Sequence, residues 1–236
     1  MSKRILHVVT NIGQYQNIQR PTGLWLGELT HAYDEFEKMN YVQDIVSPKG
    51  GNSPIEPKSL EYFVADNSVL ARKNDPKFMQ LLENTLKPTD VQWQDYDAIY
   101  YTGGHGVMWD FLNDATLQEI TKNMYEQGAI VASVCHGYCG LLNVKLSNNK
   151  RLIDGKKITG FTWTEEILAG VAKKVPYNAE KLAKEYGADF TKKFIPFMPH
   201  VVRDGNLITG ENPFSARVTA LSMIQALEEK DNPIRG

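Results

Sequence analysis

Cysteine is scarce in this chain: Cys135 and Cys139 are the only two in 236 residues. That excludes a disulfide-stapled scaffold, which needs several well-spaced pairs. It equally excludes a structural zinc site made of two Cys-x-x-Cys pairs. An excess of one charge is lacking too. Lys and Arg number 26 against 28 Asp and Glu, a net of -2. No overall field therefore draws nucleic acid or an anionic membrane. No apolar run approaches the ~18 residues of a membrane span. The opening "MSKRILHVVTN" is too short for a secretory apolar core and lacks a small-residue cleavage site. The expectation is a cytoplasmic protein with no nucleic-acid or membrane partner. Internal repeats, low-complexity stretches and linkers are also missing, which favours one domain over residues 1–236.

What is present is alternation. "RILHVVT", "YVQDIVSP", "YDAIYYTGGHG", "GAIVASVC" and "KKITGF" read as strands. "GLWLGELTHAYDEFEKMN" reads as a helix, with Leu24, Leu29, Ala32, Tyr33 and Phe36 on one side. "AEKLAKEYGADF" is a helix closed by Gly187, a residue type that favours helix ends. "VVRDGNLITG" predicts a hairpin turning at Asp204-Gly205. "NPFSARVTALSMIQALEEK" predicts a terminal helix with Pro213 in its first turn. This order argues an α/β fold: a doubly wound, mostly parallel sheet with helices on both faces. The Pro-, Asn- and Lys-rich stretch around residues 50–89 reads as an insertion with some helix. Ligands on such sheets bind beyond the carboxyl ends of the strands. Gly103 to Gly106, Cys135 to Gly137 and the loop after Thr10 lie at those ends.

"AIVASVCHGYCGLLN" places a thiol beside an imidazole where a buried strand meets an expected helix. A sharp strand-to-helix turn can expose one strained side chain above the sheet. A thiol there sits near a helix N-terminus, which favours its thiolate. Gly137 gives the turn room, and backbone N–H groups at the turn and in "TGGHG" can hold an oxyanion. The competing reading makes Cys135 core filler and His136 structural. If residues 137 onward are helical, Cys139 shares a face with Cys135, and a transient bridge between them is conceivable.

"ASVCHG" after an apolar strand resembles the nucleophile elbow of the ThiJ/PfpI superfamily. "TGLWLGELTHAYDEF", "VSPKGGNSPIEP", "YYTGGHGVMWDF", "LIDGKKITGFTWTEE" and "DGNLITGENPFSA" resemble one branch of it. That branch holds glutathione-independent glyoxalases of the III type and stress-induced chaperone-like proteins. The resemblance runs from about Arg4 to Ala226. It implies a flavodoxin-like fold and a homodimer. It implies Cys135 as nucleophile, His136 as neighbouring base and Glu28 as the buried acid touching the thiol. It also implies an acid after "ITGFT" that orients the histidine, Glu165 or Glu166, with Glu166 preferred by spacing. Gly104 and the His136 backbone match the oxyanion donors, and His105 is a candidate for the substrate-binding wall. Tyr138 replaces the usual proline of the elbow, and Cys139 is an unexpected second thiol.

Several of these residues also have simpler readings. A helix carboxylate such as Glu28 is ordinarily solvated. His105 can cap or line its loop, and Asp110 can sit in a helix's first turn. His31 and His200 look structural or superficial, and Trp25, Tyr33 and Phe36 look like core. No His, Cys and acid cluster has metal-ligand spacing, so neither metal nor cofactor is expected.

Three functions compete. The first is cofactor-free conversion of methylglyoxal and related 2-oxoaldehydes to 2-hydroxy acids, through a Cys135 hemithioacetal. The second is a cysteine hydrolase. Its glutaminase form requires an acid two residues after a distant histidine, but His200 is followed by Val201 and Val202. A peptidase or deglycase form remains open. The third is a stress-responsive chaperone or a redox sensor acting through Cys135 oxidation.

Overall fold

In the computed structural model, which describes residues 2–231, the first apolar run forms β1 (Arg4–Val8). A loop leads to α1 (Leu26–Lys38) and then to β2 (Val42–Val46). The stretch around residues 50–89 carries α2 (Asn67–Lys73) and α3 (Pro76–Glu83). Asp66 and Asp75 cap these helices by accepting from the N–H groups of Val69 and Lys77, satisfying otherwise orphaned donors. Val69, Phe78 and Leu82 pack with Leu26 and Leu29 of α1 and Ile45 of β2.

Next come β3 (Ala98–Tyr101), α4 (Val107–Asp110), α5 (Ala115–Glu126) and β4 (Ile130–Val134). The short β5 (Lys157–Ile158), α6 (Trp163–Leu168), α7 (Ala179–Glu185) and β6 (Asp189–Phe190) follow. The hairpin of β7 (Val201–Asp204) and β8 (Leu207–Gly210) and the helix α8 (Ala216–Asp231) end the described chain.

Six strands form one sheet in the order β2-β1-β3-β4-β8-β7. Its pairings are parallel except that of β7 with β8. Strand side chains alternate between two cores even though both faces are buried. Ala98 and Tyr100 of β3, with Ile130, Ala132 and Val134 of β4, meet α1 and α8. Ile99, Tyr101 and Val131 point to the other face, against α5 and α7. This is the doubly wound, mostly parallel α/β arrangement expected from the alternation. No helix among the described residues is long and apolar enough to cross a membrane.

Three local expectations change. "KKITGF" yields only the two-residue β5, which pairs with β6 outside the main sheet. The terminal helix starts with a separate 3-10 turn at Pro213–Ser215. The segment after β4 is a tight 3-10 turn, Cys135–Gly140, rather than an α-helix. Packing explains the last case: a Cβ on Gly137 would lie 2.2 Å from the Tyr101 carbonyl oxygen. The elbow is thus pressed onto the end of β3 too closely for a regular helix to begin.

Candidate active site

β4 delivers Cys135 at the carboxyl edge of the sheet, where its backbone adopts φ +55°. A non-glycine residue there costs about 1–3 kcal/mol and persists only when its surroundings enforce it. The enforcement is local. Phe161 N–H donates to the Cys135 carbonyl at 3.1 Å, and Gly137 sits against Tyr101. The strain lifts the side chain off the strand and into a cavity of about 400 Å³.

No α-helix follows to polarise the thiol, contrary to expectation. The N–H groups of His136 and Gly104 act on the sulfur instead and pull its pKa down. Gly104 brings its N–H there with φ +101°, and an added Cβ would strike the Gly23 carbonyl oxygen at 2.2 Å. Burial acts more strongly and pushes the thiol up, and Glu28 adds to this wherever it is ionised.

Glu28 is fully buried, so the solvated-carboxylate reading fails. α1 starts at the carboxyl end of the loop from β1 and aims Glu28 inward in its first turn. Its Oε2 accepts the Gly103 N–H at 2.6 Å. Its Oε1 has no hydrogen-bond partner among the described residues. Burial pushes the carboxyl up to about 8, against the pull of the Gly103 amide and of Cys135. Such an acid keeps its proton at neutral pH, and Oε1 is the open place for it.

His136 Nδ1 lies 3.2 Å from Cys135 Sγ, and its Nε2 lies 2.6 Å from Glu166 Oε1. His105 Nε2 lies 3.1 Å from Glu166 Oε2. One carboxylate therefore serves two imidazoles whose ring centres are 4.4 Å apart. Burial would raise the Glu166 carboxyl, but the His136 charge and the bonds from both rings bring it to about 2. Burial holds His136 below its ordinary 6.5 despite Glu166. It is a neutral base at neutral pH, fixed by an ionised acceptor. Phe161 covers its ring at 4.6 Å.

The structure thus brings together Cys135, His136, Glu28, Glu166, Gly104 and His105. It separates Glu165 from Glu166. Glu165 closes a capping box with Thr162 and accepts from Asn212 and from the Phe197 N–H. Trp25 lines the cavity rather than filling a core, while Tyr33 and Phe36 pack in the hydrophobic clusters. Asp110 ends the four-residue α4 and accepts from Thr10 Oγ1 and Asn11 N–H, tying the loop after β1. His31 pairs with Asp66, and His200 approaches Thr191.

Sequence reasoning missed Arg20, Glu56, Lys58, Val64 and Phe197 in the cavity wall, because no local pattern announces them. It also missed a convergence. His105, His136 and Glu166 offer donor atoms within 4.8 Å of one another, a grouping invisible in linear spacing. The hydrogen bonds of the two rings to Glu166 account for that arrangement.

Residues 23–226 match the model of the DJ-1/PfpI family. The chain belongs to the DJ-1/PfpI family. Within it, the chain is 33% identical to "Glutathione-independent glyoxalase HSP31" of Saccharomyces cerevisiae, with 96% of this chain and 98% of the relative covered. It is 30% identical to "Glyoxalase 3" of Candida albicans, over 97% of this chain and 99% of that one. Among solved structures it is similar to the glyoxalase III of Candida albicans, with TM-score 0.87, 30% identity and coverage of 95% and 97%. It is also similar to the Rapid Encystment Protein 24 KDa of Francisella tularensis, with TM-score 0.91, 35% identity and coverage of 95% and 99%.

Proposed function

We propose that the protein is a glutathione-independent glyoxalase that converts methylglyoxal and related 2-oxoaldehydes to 2-hydroxy acids. One observation carries this reading: a strained thiol faces a cavity between a neutral buried acid and an imidazole fixed by an ionised carboxylate. Near full-length similarity to proteins named glyoxalases supports it.

Cys135 Sγ attacks the aldehyde carbon (C1), and its proton passes through His136 to the new oxyanion. The product is a hemithioacetal. Amides of Gly104 and His136 steady the oxyanion as it forms. Glu28, kept neutral by burial, sets no negative charge against the sulfur as it becomes a thiolate. His136 Nδ1 then removes the C1 proton and returns it to the neighbouring carbon (C2). The thioester that results is cleaved by water, and the thiol is regenerated. No glutathione enters, because the protein supplies the thiol.

We also propose a homodimer, as the family resemblance implies, and a cytoplasmic location; size-exclusion chromatography and cell fractionation test the two. The deciding experiment incubates pure protein with methylglyoxal, without glutathione, and follows lactate. Lactate should form in wild type and vanish in Cys135→Ala. Turnover that survived this substitution, or that required added glutathione, would overturn the proposal.

A further inference from the structure

Glu166 is held as a carboxylate, and a carboxylate only accepts hydrogen bonds. Both histidines that touch it do so through Nε2. Each ring therefore presents an Nε2–H to Glu166, which leaves Nδ1 as the nitrogen that can carry a lone pair. In His136 that lone pair faces the Cys135 sulfur at 3.2 Å. In His105 it has no protein partner among the described residues, although the residue is 8% exposed and lines the same cavity. The site thus holds two prepared bases on one anion, and the reaction described above uses one.

The chemistry has a place for the second. The hemithioacetal is a ketone at C2 with a hydroxyl (O1) and a hydrogen on C1. The thioester is a carbonyl at C1 with a hydrogen and a hydroxyl (O2) on C2. Two protons must therefore move, one from carbon to carbon and one from oxygen to oxygen. An imidazole that holds the carbon proton as an imidazolium has no lone pair with which to accept the oxygen-bound proton at the same time.

We propose that His105 is a second catalytic residue, which carries the oxygen-bound proton from O1 to O2 while His136 carries the carbon-bound proton. This rests on the glyoxalase reading. His136 Nδ1 takes the C1 proton, the C–H pair becomes the C1–C2 double bond, and the C2 carbonyl pair moves onto O2. His105 Nδ1 accepts the O1 proton and delivers it to O2. The O1 lone pair then re-forms the C1 carbonyl, and the double-bond pair takes the proton of His136 at C2. Both rings end neutral, and no oxidant, reductant or further reactant is consumed. Glu166 steadies either imidazolium as it forms, Oε1 serving one ring and Oε2 the other.

His105→Gln keeps an N–H for Glu166 but carries no titratable lone pair. With methylglyoxal, its kcat should fall about 10²-fold, the size of a positioned proton transfer. KM and the alkylation of Cys135 by iodoacetamide should hardly change. In His105→Ala, added imidazole should restore lactate formation, and substituted imidazoles should do so in the order of their basicity. A packing or hydrogen-bonding role would not produce that order. The shuttle is overturned if His105→Gln keeps more than about a tenth of the wild-type kcat. It is equally overturned if no imidazole restores His105→Ala in the expected order. Wild-type protein that made no lactate would instead overturn the glyoxalase reading itself.

Discussion

At the scale of single residues, Glu28 sets a pH dependence of opposite sign to that of an ordinary acid. Its carboxyl titrates near 8 in the folded protein against an ordinary 4.5. Between those values the folded chain holds a proton that the unfolded chain has lost. Stability is therefore whole below about pH 4.5 and drains away as pH rises towards 8, by up to about 1.4 kcal/mol per unit. Glu28→Gln removes the titration, so urea midpoints measured from pH 5 to pH 8 should fall in wild type and fall less in the variant. Parallel curves would mean that Glu28 is already ionised in the fold. Glu166 has the complementary task. Glu166→Gln loses the ionised acceptor that sets the His136 tautomer. Its turnover should drop at least tenfold, by less than the ~10²–10⁴-fold expected for His136→Ala, with Cys135 still open to alkylation. Single-turnover kinetics beside an iodoacetamide time course separate the two effects.

At the scale of elements, the elbow exists because β4 ends against the Tyr101 carbonyl of β3. Gly137→Ala puts a methyl group 2.2 Å from that oxygen, and backbone cannot yield as a flexible side chain would. Overpacking costs about 1–3 kcal/mol, occasionally more, read as a lowered urea midpoint, and Cys135 should lose its alkylation selectivity. The same contact shows where the sequence was legible and where it was not. Strands β1, β3 and β4 were readable because buried parallel strands are near-continuous apolar runs. The 3-10 turn was not, because Tyr101 imposes it from 36 places up the chain. Cys135 and His136 announced themselves by adjacency, whereas His105 joins Glu166 across 61 positions. The choice between Glu165 and Glu166 was written in the sequence after all. Thr162-Trp163-Thr164-Glu165 is a capping box, which commits Glu165 to the backbone and leaves Glu166 for the histidine.

At the scale of the whole molecule, the sheet divides two thiols that stand four residues apart. Cys135 belongs with the α1 and α8 side and opens on the cavity, while Cys139 is sealed in the opposite core. Burial drives the Cys139 thiol up to about 12. Reagent reaches it only when the fold opens globally, and ordinary domain stabilities make such openings rarer than about one in 10³. Peptide mass spectrometry after brief iodoacetamide treatment should find Cys135 modified and Cys139 untouched. Cys139 labelling should rise with urea along the unfolding curve. Comparable labelling of both in native protein would place Cys139 at the surface. The chain thus records two kinds of injury on one short stretch. An adduct on Cys135 alone marks a poisoned molecule, and an adduct on both marks a broken one. A single digest of protein recovered from aldehyde-treated cells can count the two populations separately.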